Sequence, residues 1–421
     1  MLRPLALLRP LTLLRPLTLL RPLTLLRPLT LLRPLTLPRS FWSSPGLEIR
    51  VTASILPFQP RHSGEYDQIF SCCSHGVLLP QLYRIYRIGT VKSAGISFPF
   101  VQQLPMNSIL QPTPDTEITL THGDWQLVVS PYGASLRGLS RRGADGTLEE
   151  VVTGYAGAAG KVGGQGDVLI PFPGRVAAGK YTFHGRVYQM ETSDKEGPNA
   201  IHGFLRQILW DSEQPSGDEI IFTTGLAADA HPGYPFTLAA RVTYRLDDGG
   251  LTCEFTLGNL GELPAPVAAG FHPYFTVGSG LIDTDTLSVP FESYLEFDDA
   301  LIPTGRVLPV GETEMDFRSS HAIEQTVFNT CYCTPRRGPD GRARVTLTDP
   351  SAKRALTVWM DEAFDYVVLY SGDPLPESHR RRALAIEPMT CGSDAFNHPA
   401  WGLVSLAPGE TFSGAWGVSS E

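Results

Sequence analysis

Short extended runs, each closed by a turn residue, repeat along the chain from Asp115 to its C-terminal end. They include EITL, WQLVVS, YTF, RVYQM, EIIFTTGL, TLAARVTYRL, LTCEFTLGN, ARVTLTD, ALTVWMD and DYVVLYSG. No stretch keeps the apolar i, i+3, i+4, i+7 pattern of a helix beyond one or two turns, and 41 glycines and 36 prolines favour turns over long helices. Closely spaced strands joined by Gly, Asp and Asn turns predict an all-β fold of antiparallel sheets, as a large sandwich or a barrel.

The residues before this body have a different composition. Between Leu2 and Leu37 one hexamer occurs six times, as LRPLAL and then five copies of LRPLTL. A proline every sixth residue interrupts helical hydrogen bonding, so the leucines do not predict a transmembrane helix. We predict a disordered low-complexity repeat over 1–40, a poorly ordered extension over 41–112, and one β domain over 113–421.

The repeat has three interpretations. It is an extension without a function or an artefact of gene prediction, a targeting segment, or a segment with its own role. Its arginine-rich, acid-free composition is typical of organelle transit peptides, but its prolines disrupt the amphipathic helix that such peptides need. We favour the first interpretation and therefore a cytoplasmic location, with organelle targeting as the less favoured alternative.

Charge and cysteine usage exclude several classes of partner. Residues 1–112 contain 12 basic and 3 acidic side chains, and the remaining residues contain 22 and 40. Because an acidic body repels phosphates, we expect no nucleic-acid partner. The six cysteines have no CxxC spacing or Cys/His cluster, which predicts reduced thiols and no metal site.

Three titratable side chains have unusual local surroundings. His272 lies in the apolar stretch AGFHPYFTV, where Pro273 restricts it to extended geometry. His202, in NAIHGF, precedes Gly203, which permits close approach of a ligand or another backbone segment. Glu387 ends the apolar run LAIE, where an unpaired buried carboxylate is costly. Each has a structural alternative: a packed histidine at a strand end, a turn histidine, and a carboxylate that reaches solvent.

Taken together, the motifs PFPGRVAAGKYTFHG, NAIHGFLRQILW, GFHPYF and LAIEPMTCGSDAFN, in this order and spacing, resemble the aldose 1-epimerase (galactose mutarotase-like) family. The resemblance covers roughly 115–421. It implies a large antiparallel β-sandwich, the supersandwich, with a sugar cleft on one sheet and with no metal or organic cofactor. It also implies a small-molecule aldose as substrate, no membrane partner, and a monomer or weak dimer.

The resemblance also assigns roles to individual residues. Glu387 matches the catalytic base, His272 the general acid, His202 the second active-site histidine and Arg175 the arginine that holds sugar hydroxyls. Gln325, in EQTVFN, stands where the family usually has a sugar-binding aspartate. An amide still bonds a hydroxyl but supplies no charge.

The implied reaction is the interconversion of α and β anomers of a free hexose by acid–base ring opening. For His272 to act as the acid, we expect it to be protonated at rest, with a nearby carboxylate raising its pKa. Three alternatives are a glucose-6-phosphate 1-epimerase with Arg206 as a phosphate ligand, a non-catalytic carbohydrate-binding relative, and, remotely, a polysaccharide lyase.

Two further sets of residues are weaker candidates. Aromatic rings provide apolar surface for sugar faces, and the candidates are Phe204, Tyr274 and Trp401. The glycines of KVGGQGD lack the GK[ST] ending of a phosphate loop and predict a flexible surface turn; they are Gly163, Gly164 and Gly166.

Overall fold

The computed structural model describes residues 112–420 and, nearer the N-terminus, two strands. The chain forms two compact units, Met1–Leu104 and Pro105–Glu421. In the first, β1 (Tyr86–Ser93) and β2 (Ile96–Gln103) pair as an antiparallel hairpin. The predictions for 1–40, and for 41–112 apart from these strands and Pro112, lie outside the described residues. The division into domains stays a prediction.

The regular secondary structure of the second unit is almost entirely β-strand. In chain order they are β3 Ile118–His122, β4 Trp125–Ser130, β5 Ser135–Arg142, β6 Leu148–Val152, β7 Val168–Leu169, β8 Arg175–Val176, β9 Lys180–Phe183, β10 Arg186–Gln189, β11 Ala200–Ile201, β12 Asp211–Glu213, β13 Glu219–Leu226, β14 Leu238–Asp247, β15 Gly250–Asn259, β16 Ala265–Val267, β17 Gly270–Phe271, β18 Tyr274–Phe275, β19 Thr286–Ser288, β20 Phe291–Phe297, β21 Pro303–Pro309, β22 His321–Ala322, β23 Asn329–Pro335, β24 Ala343–Asp349, β25 Arg354–Met360, β26 Tyr366–Tyr370, β27 Leu384–Met389, β28 Val404–Leu406 and β29 Thr411–Ser420. The described helical segments are short 3₁₀ turns at Ala158–Gly160, Ala177–Gly179, Leu205–Gln207 and Ile282–Thr284.

Two large sheets dominate this unit. One has nine strands in the order β12-β13-β14-β15-β29-β25-β24-β19-β22. The other has twelve strands, ten of them in the order β21-β20-β23-β26-β27-β18-β6-β5-β4-β3, with β17 and β7 attached beside β27. Three small pairs, β9–β10, β8–β11 and β16–β28, complete the unit, and every pairing in it is antiparallel. The predicted all-β antiparallel sandwich is confirmed.

Alternating side chains explain how the nine-stranded sheet forms. In β15, Cys253, Phe255 and Leu257 are buried, whereas Glu254 between them is exposed. Val242 of β14 pairs with Phe255 in register, so apolar side chains line one face of the hairpin. These residues belong to one large apolar cluster that also contains residues of the twelve-stranded sheet, such as Leu127. Burial of this shared cluster holds the layers together.

Strand β27 departs from this alternation. All six of its residues, Leu384–Met389, are buried, as expected for a strand in the middle of a sheet with both faces covered. It pairs with β26 on one side, where Glu387 lies opposite Val368, and with β17 and β18 on the other. The fold therefore places a carboxylate in the centre of its larger sheet.

Candidate active site

A cavity of about 610 Å³ opens on one face of the twelve-stranded sheet, and Glu387 lines it. Asn329 of β23 lies opposite Tyr370 of β26, and Val368 lies opposite Glu387. Since residues two apart in a strand share a face, these four side chains and Met389 form one surface of the cavity. The predicted residues His202, His272 and Arg175 also line it.

The central contact of the cavity joins His272 and Glu387. His272 Nε2 lies 3.4 Å from Glu387 Oε1, although 115 positions separate the two residues in the sequence. Their exposed fractions are 6% and 2%. The His272 ring is stacked on Tyr274, with centroids 5.2 Å apart. Its backbone N–H donates to the carbonyl of Asp167 at 3.0 Å, so both the ring and the main chain are held.

His202 reaches the cavity from a strained turn. Its φ of 63° is in the left-handed region, which non-glycine residues seldom adopt and which is common at functional sites. Gly203 must be glycine, because a Cβ there would lie 2.1 Å from the carbonyl oxygen of Ile170. The His202 ring lies edge-on to His272, with centroids 5.6 Å apart.

Arg175 is fixed by two carboxylates at the wall of the cavity. Its Nε donates to Asp194 and its Nη2 to Glu196, each at 2.7 Å. Its backbone N–H donates to Ser393 Oγ, close behind the strand that contains Glu387. Burial is the largest single influence on the pKa of Asp194 and acts to raise it, but the hydrogen bonds from Arg175, the Glu196 backbone and Asn199, with the charge of Arg175, together lower the pKa. The guanidinium group is therefore paired with an ionised carboxylate.

Burial controls the protonation of the three central groups. It raises the pKa of Glu387 well above its ordinary value, against the opposing charge of Arg175. It lowers the pKa of His272 to about 3, an effect to which the positive charges of Arg206 and Lys161 add. It also lowers the pKa of His202 well below its ordinary value, with His272 contributing.

The expectation that His272 is protonated at rest is therefore wrong. Its carboxylate neighbour is equally buried, so the charged form of each group is disfavoured. The directions of these pKa shifts favour the uncharged forms, a protonated Glu387 and neutral His272 and His202. Three buried polar atoms here, His202 Nδ1, His272 Nδ1 and Glu387 Oε2, have no hydrogen-bond partner among the described residues. Such atoms are costly to keep and are typical of a site that binds polar ligands.

Gln325 is not brought to this site. It is exposed and is not among the residues that line the cavity, and its Nε2 donates to Asp283 at 2.8 Å. The structure therefore does not bring Gln325 together with the other predicted site residues, and its sugar-binding role stays a prediction. Asn329, four residues later, lines the cavity and offers an amide. The signal for it was the alternation of β23, which places Asn329 on the face shared with Tyr370.

The weaker aromatic and glycine candidates differ in their relation to the cavity. Phe204, Tyr274 and Trp401 do not line the cavity, whose described aromatic residues are Phe297 and Tyr370. The glycine segment is not a simple surface turn: Gly166 is buried, and a Cβ on Gly164 would lie 3.1 Å from His272 Cδ2. Two of its glycines therefore pack at or beside the site.

The described residues provide neither a metal-binding cluster nor a membrane-crossing helix. They contain no group of three or more His, Cys, Asp or Glu side chains arranged to hold a metal ion. In the same part of the chain no helix has the length and apolar character needed to cross a membrane.

Comparison with known proteins gives a consistent set of matches. The family model described as aldose 1-epimerase matches residues 116–418. An uncharacterized Escherichia coli protein, YihR, is 29% identical over 66% of this chain and 85% of its own. Galactose mutarotase from Rattus norvegicus is 26% identical over 67% and 87%. The crystal structure of a GalM/aldose epimerase homologue from C. elegans superposes with a TM-score of 0.66 at 21% identity, over 73% of this chain and 98% of that one.

Proposed function

This chain belongs to the aldose 1-epimerase family, and we propose that it interconverts the α and β anomers of a free aldose by acid–base ring opening. The proposal rests above all on one observation. A histidine and a carboxyl group lie 3.4 Å apart in a cavity large enough for a monosaccharide, and neither side chain has a hydrogen-bond partner outside the pair among the described residues. Isomerase activity follows from this pair as an acid–base unit.

The proposed chemistry needs two proton transfers at neighbouring atoms. The carboxylate of Glu387 takes the proton of the anomeric hydroxyl as the bond between C1 and the ring oxygen breaks. The imidazolium of His272 gives its proton to the departing ring oxygen. After rotation about C1–C2 both transfers reverse and the ring closes as the other anomer. Both oxygens are bonded to C1, which suits an acid and a base in direct contact with each other.

The resting protonation state fits this scheme with one preparatory step. Neutral His272 with protonated Glu387 contains the same single proton as the ion pair, so one transfer across the 3.4 Å contact creates the reactive form. Hydroxyl groups that donate to a carboxylate favour its charged form. The charge of Arg175 acts in the same direction on Glu387. We therefore propose that the sugar itself, when bound, shifts the pair to carboxylate and imidazolium.

The remaining polar groups are proposed to hold the sugar. Nε and Nη2 of Arg175 are bonded to Asp194 and Glu196. Its Nη1 has no carboxylate partner among the described residues, and we assign it to a sugar hydroxyl. Neutral His202 and the amide of Asn329 offer further donors and acceptors. An aromatic surface is available from Phe297.

The charges of the cavity favour an uncharged sugar over a phosphorylated one. Arg206 lines the cavity, and its Nη1 donates to buried Asp167 at 3.1 Å, a carboxylate that it shares with Lys161. The cavity lining contains three cationic side chains, Arg175, Lys195 and Arg206, and three carboxylates, Asp194, Glu196 and Asp299. The lining therefore offers no net positive charge to a phosphate. Glucose 6-phosphate is thus the less favoured substrate. A non-catalytic role is disfavoured because the acid, the base and the second histidine are all present.

The test is anomer exchange measured by NMR on α-glucose, α-galactose, arabinose and glucose 6-phosphate. We expect faster exchange with at least one free aldose and little or none with the phosphate. The Glu387→Gln variant is the matched control, since it keeps the shape of the side chain but not its acid–base chemistry. Exchange no faster than in buffer for every sugar, with sugar binding intact, would favour the carbohydrate-binding alternative.

A further inference from the structure

Three charged side chains form a cluster beside the cavity that the proposed reaction does not use. Asp167, which is 1% exposed, accepts from Lys161 through Oδ1 and from Arg206 through Oδ2, the latter at 3.1 Å. Two cations thus share one buried carboxylate, and the cluster has one net positive charge. Ion pairs of this kind are costly to bury and need not stabilise the fold, so their position requires an explanation.

The cluster is connected to His272 through the backbone. The carbonyl oxygen of Asp167 accepts the N–H of His272 at 3.0 Å, and the N–H of Gly166 donates back to the carbonyl of His272 at 2.9 Å. Gly164 packs against the edge of the same ring. The segment from Lys161 to Asp167 therefore runs alongside His272, and the charges at its two ends are held near that histidine.

We propose that Asp167 is a positioning residue that holds Lys161 and Arg206 beside His272 and so sets the local charge against which the His272–Glu387 pair exchanges its proton. The proposal rests on the proposed acid–base function of that pair for its consequence in catalysis. The effect of the cluster on the protonation of the pair does not depend on any reaction and can be measured on the protein without a sugar.

Charge arithmetic gives opposite predictions for single substitutions. The ionisable groups around His272 are Glu387 of β27, His202 after β11, Tyr274 of β18, Arg206 of the 3₁₀ turn, and Lys161 and Asp167 of the glycine segment. Asp167→Asn raises the net charge of the cluster from one to two, which disfavours a proton on the pair. Lys161→Gln lowers it to zero, which favours a proton. The double variant returns the net charge to one.

The experiment follows the proton of the pair by NMR in the absence of sugar. The side-chain resonances of His272 and Glu387 are assigned by their loss in His272→Gln and Glu387→Gln, and each is titrated with pH. We expect the titration midpoints to fall by roughly one pH unit in Asp167→Asn and to rise by a similar amount in Lys161→Gln. The double variant should titrate within a few tenths of a unit of the natural protein.

A merely structural role for the cluster predicts a different result. It would leave the titration midpoints unchanged, or it would move them in the same direction in both single variants. In the second case the shift in the double variant would be the sum of the two single shifts. Either result would overturn the proposal. If Asp167→Asn does not fold, Lys161→Gln still decides, because Lys161 is partly exposed and its removal leaves Asp167 paired with Arg206. If the midpoints shift as expected but the protein does not catalyse anomer exchange, the electrostatic role of the cluster is supported and the proposed function is refuted.

Discussion

Two histidine–carboxylate contacts in this protein have opposite electrostatic character. At the surface, His122 of β3 lies between Asp218 and Asp248, with each ring nitrogen 3.1 Å from a carboxylate oxygen. Those hydrogen bonds raise its pKa. In the cavity, His272 lies 3.4 Å from Glu387, yet burial lowers its pKa to about 3.

The difference shows that a neighbouring carboxylate does not by itself decide whether a histidine is charged. Near the surface, water stabilises both charges and the carboxylates add their attraction. In the cavity, each charged group loses its water, and uncharged forms of both partners are favoured. The surface contact therefore favours the charged form of His122, and the buried contact favours uncharged partners, between which we propose that a proton moves without changing the net charge of the pair.

The largest expected effect is on catalysis at the buried contact. Glu387→Gln should reduce catalysed mutarotation by about 10²–10⁴-fold, the usual contribution of one positioned acid or base. Polarimetry on fresh α-sugar measures it, with Asp316→Asn as the control. Asp316 is also a carboxylate, but it is paired with Arg318 and is not among the residues lining the cavity. Full activity in Glu387→Gln would remove this residue from the mechanism.

A smaller effect is expected in the dependence of stability on pH. Because the folded pKa of His272 is about 3 and the unfolded value is near 6.5, the unfolded state binds the extra proton between these limits. Stability should therefore fall as pH falls from about 6.5 to about 3, by up to about 1.4 kcal/mol per pH unit from this residue. His272→Gln should lose that part of the slope in denaturant titrations. An unchanged slope would mean that His272 is not buried in its neutral form.

The smallest expected effect concerns the surface contact and has the opposite sign. The raised pKa of His122 means that its contribution is fully present below about pH 6.5 and is lost as pH rises through the folded pKa. His122→Gln should therefore be slightly less stable than the natural protein at acid pH and equal to it at alkaline pH. Exposed pairs are screened by salt, so 1 M salt should remove this difference but not that of His272. If the stability difference between His122→Gln and the natural protein persists in 1 M salt, the contrast between the surface contact and the buried contact is contradicted.

The fold could be predicted from the sequence because local patterns determine much of it. The run WQLVVS corresponds to β4 (Trp125–Ser130), and the runs on either side of His184-Gly185 correspond to β9 and β10. Buried and partly buried residues alternate in β4, and turn residues separate β9 from β10. Both signals lie within short stretches of sequence. The order of strands in the two sheets depends on pairing between distant residues, which local patterns do not reveal.

The site was predictable to the extent that short motifs mark it. His202, His272, Glu387 and Arg175 all line one cavity, as expected from four motifs that are distant in sequence. Gln325 does not line this cavity whereas Asn329 does, because an offset of a few residues before a strand changes which side chain reaches it. The protonation of His272 could not be read from the sequence, since burial depends on the whole fold.

A double-variant cycle tests most directly whether His272 and Glu387 act as one acid–base unit. Mutarotation rates are measured for the natural protein, His272→Gln, Glu387→Gln and the double variant. Groups that act as a unit give strongly non-additive losses, so the double variant should be about as slow as the slower single variant. If instead the two losses multiply, the residues act independently, and the account of a shared proton is contradicted.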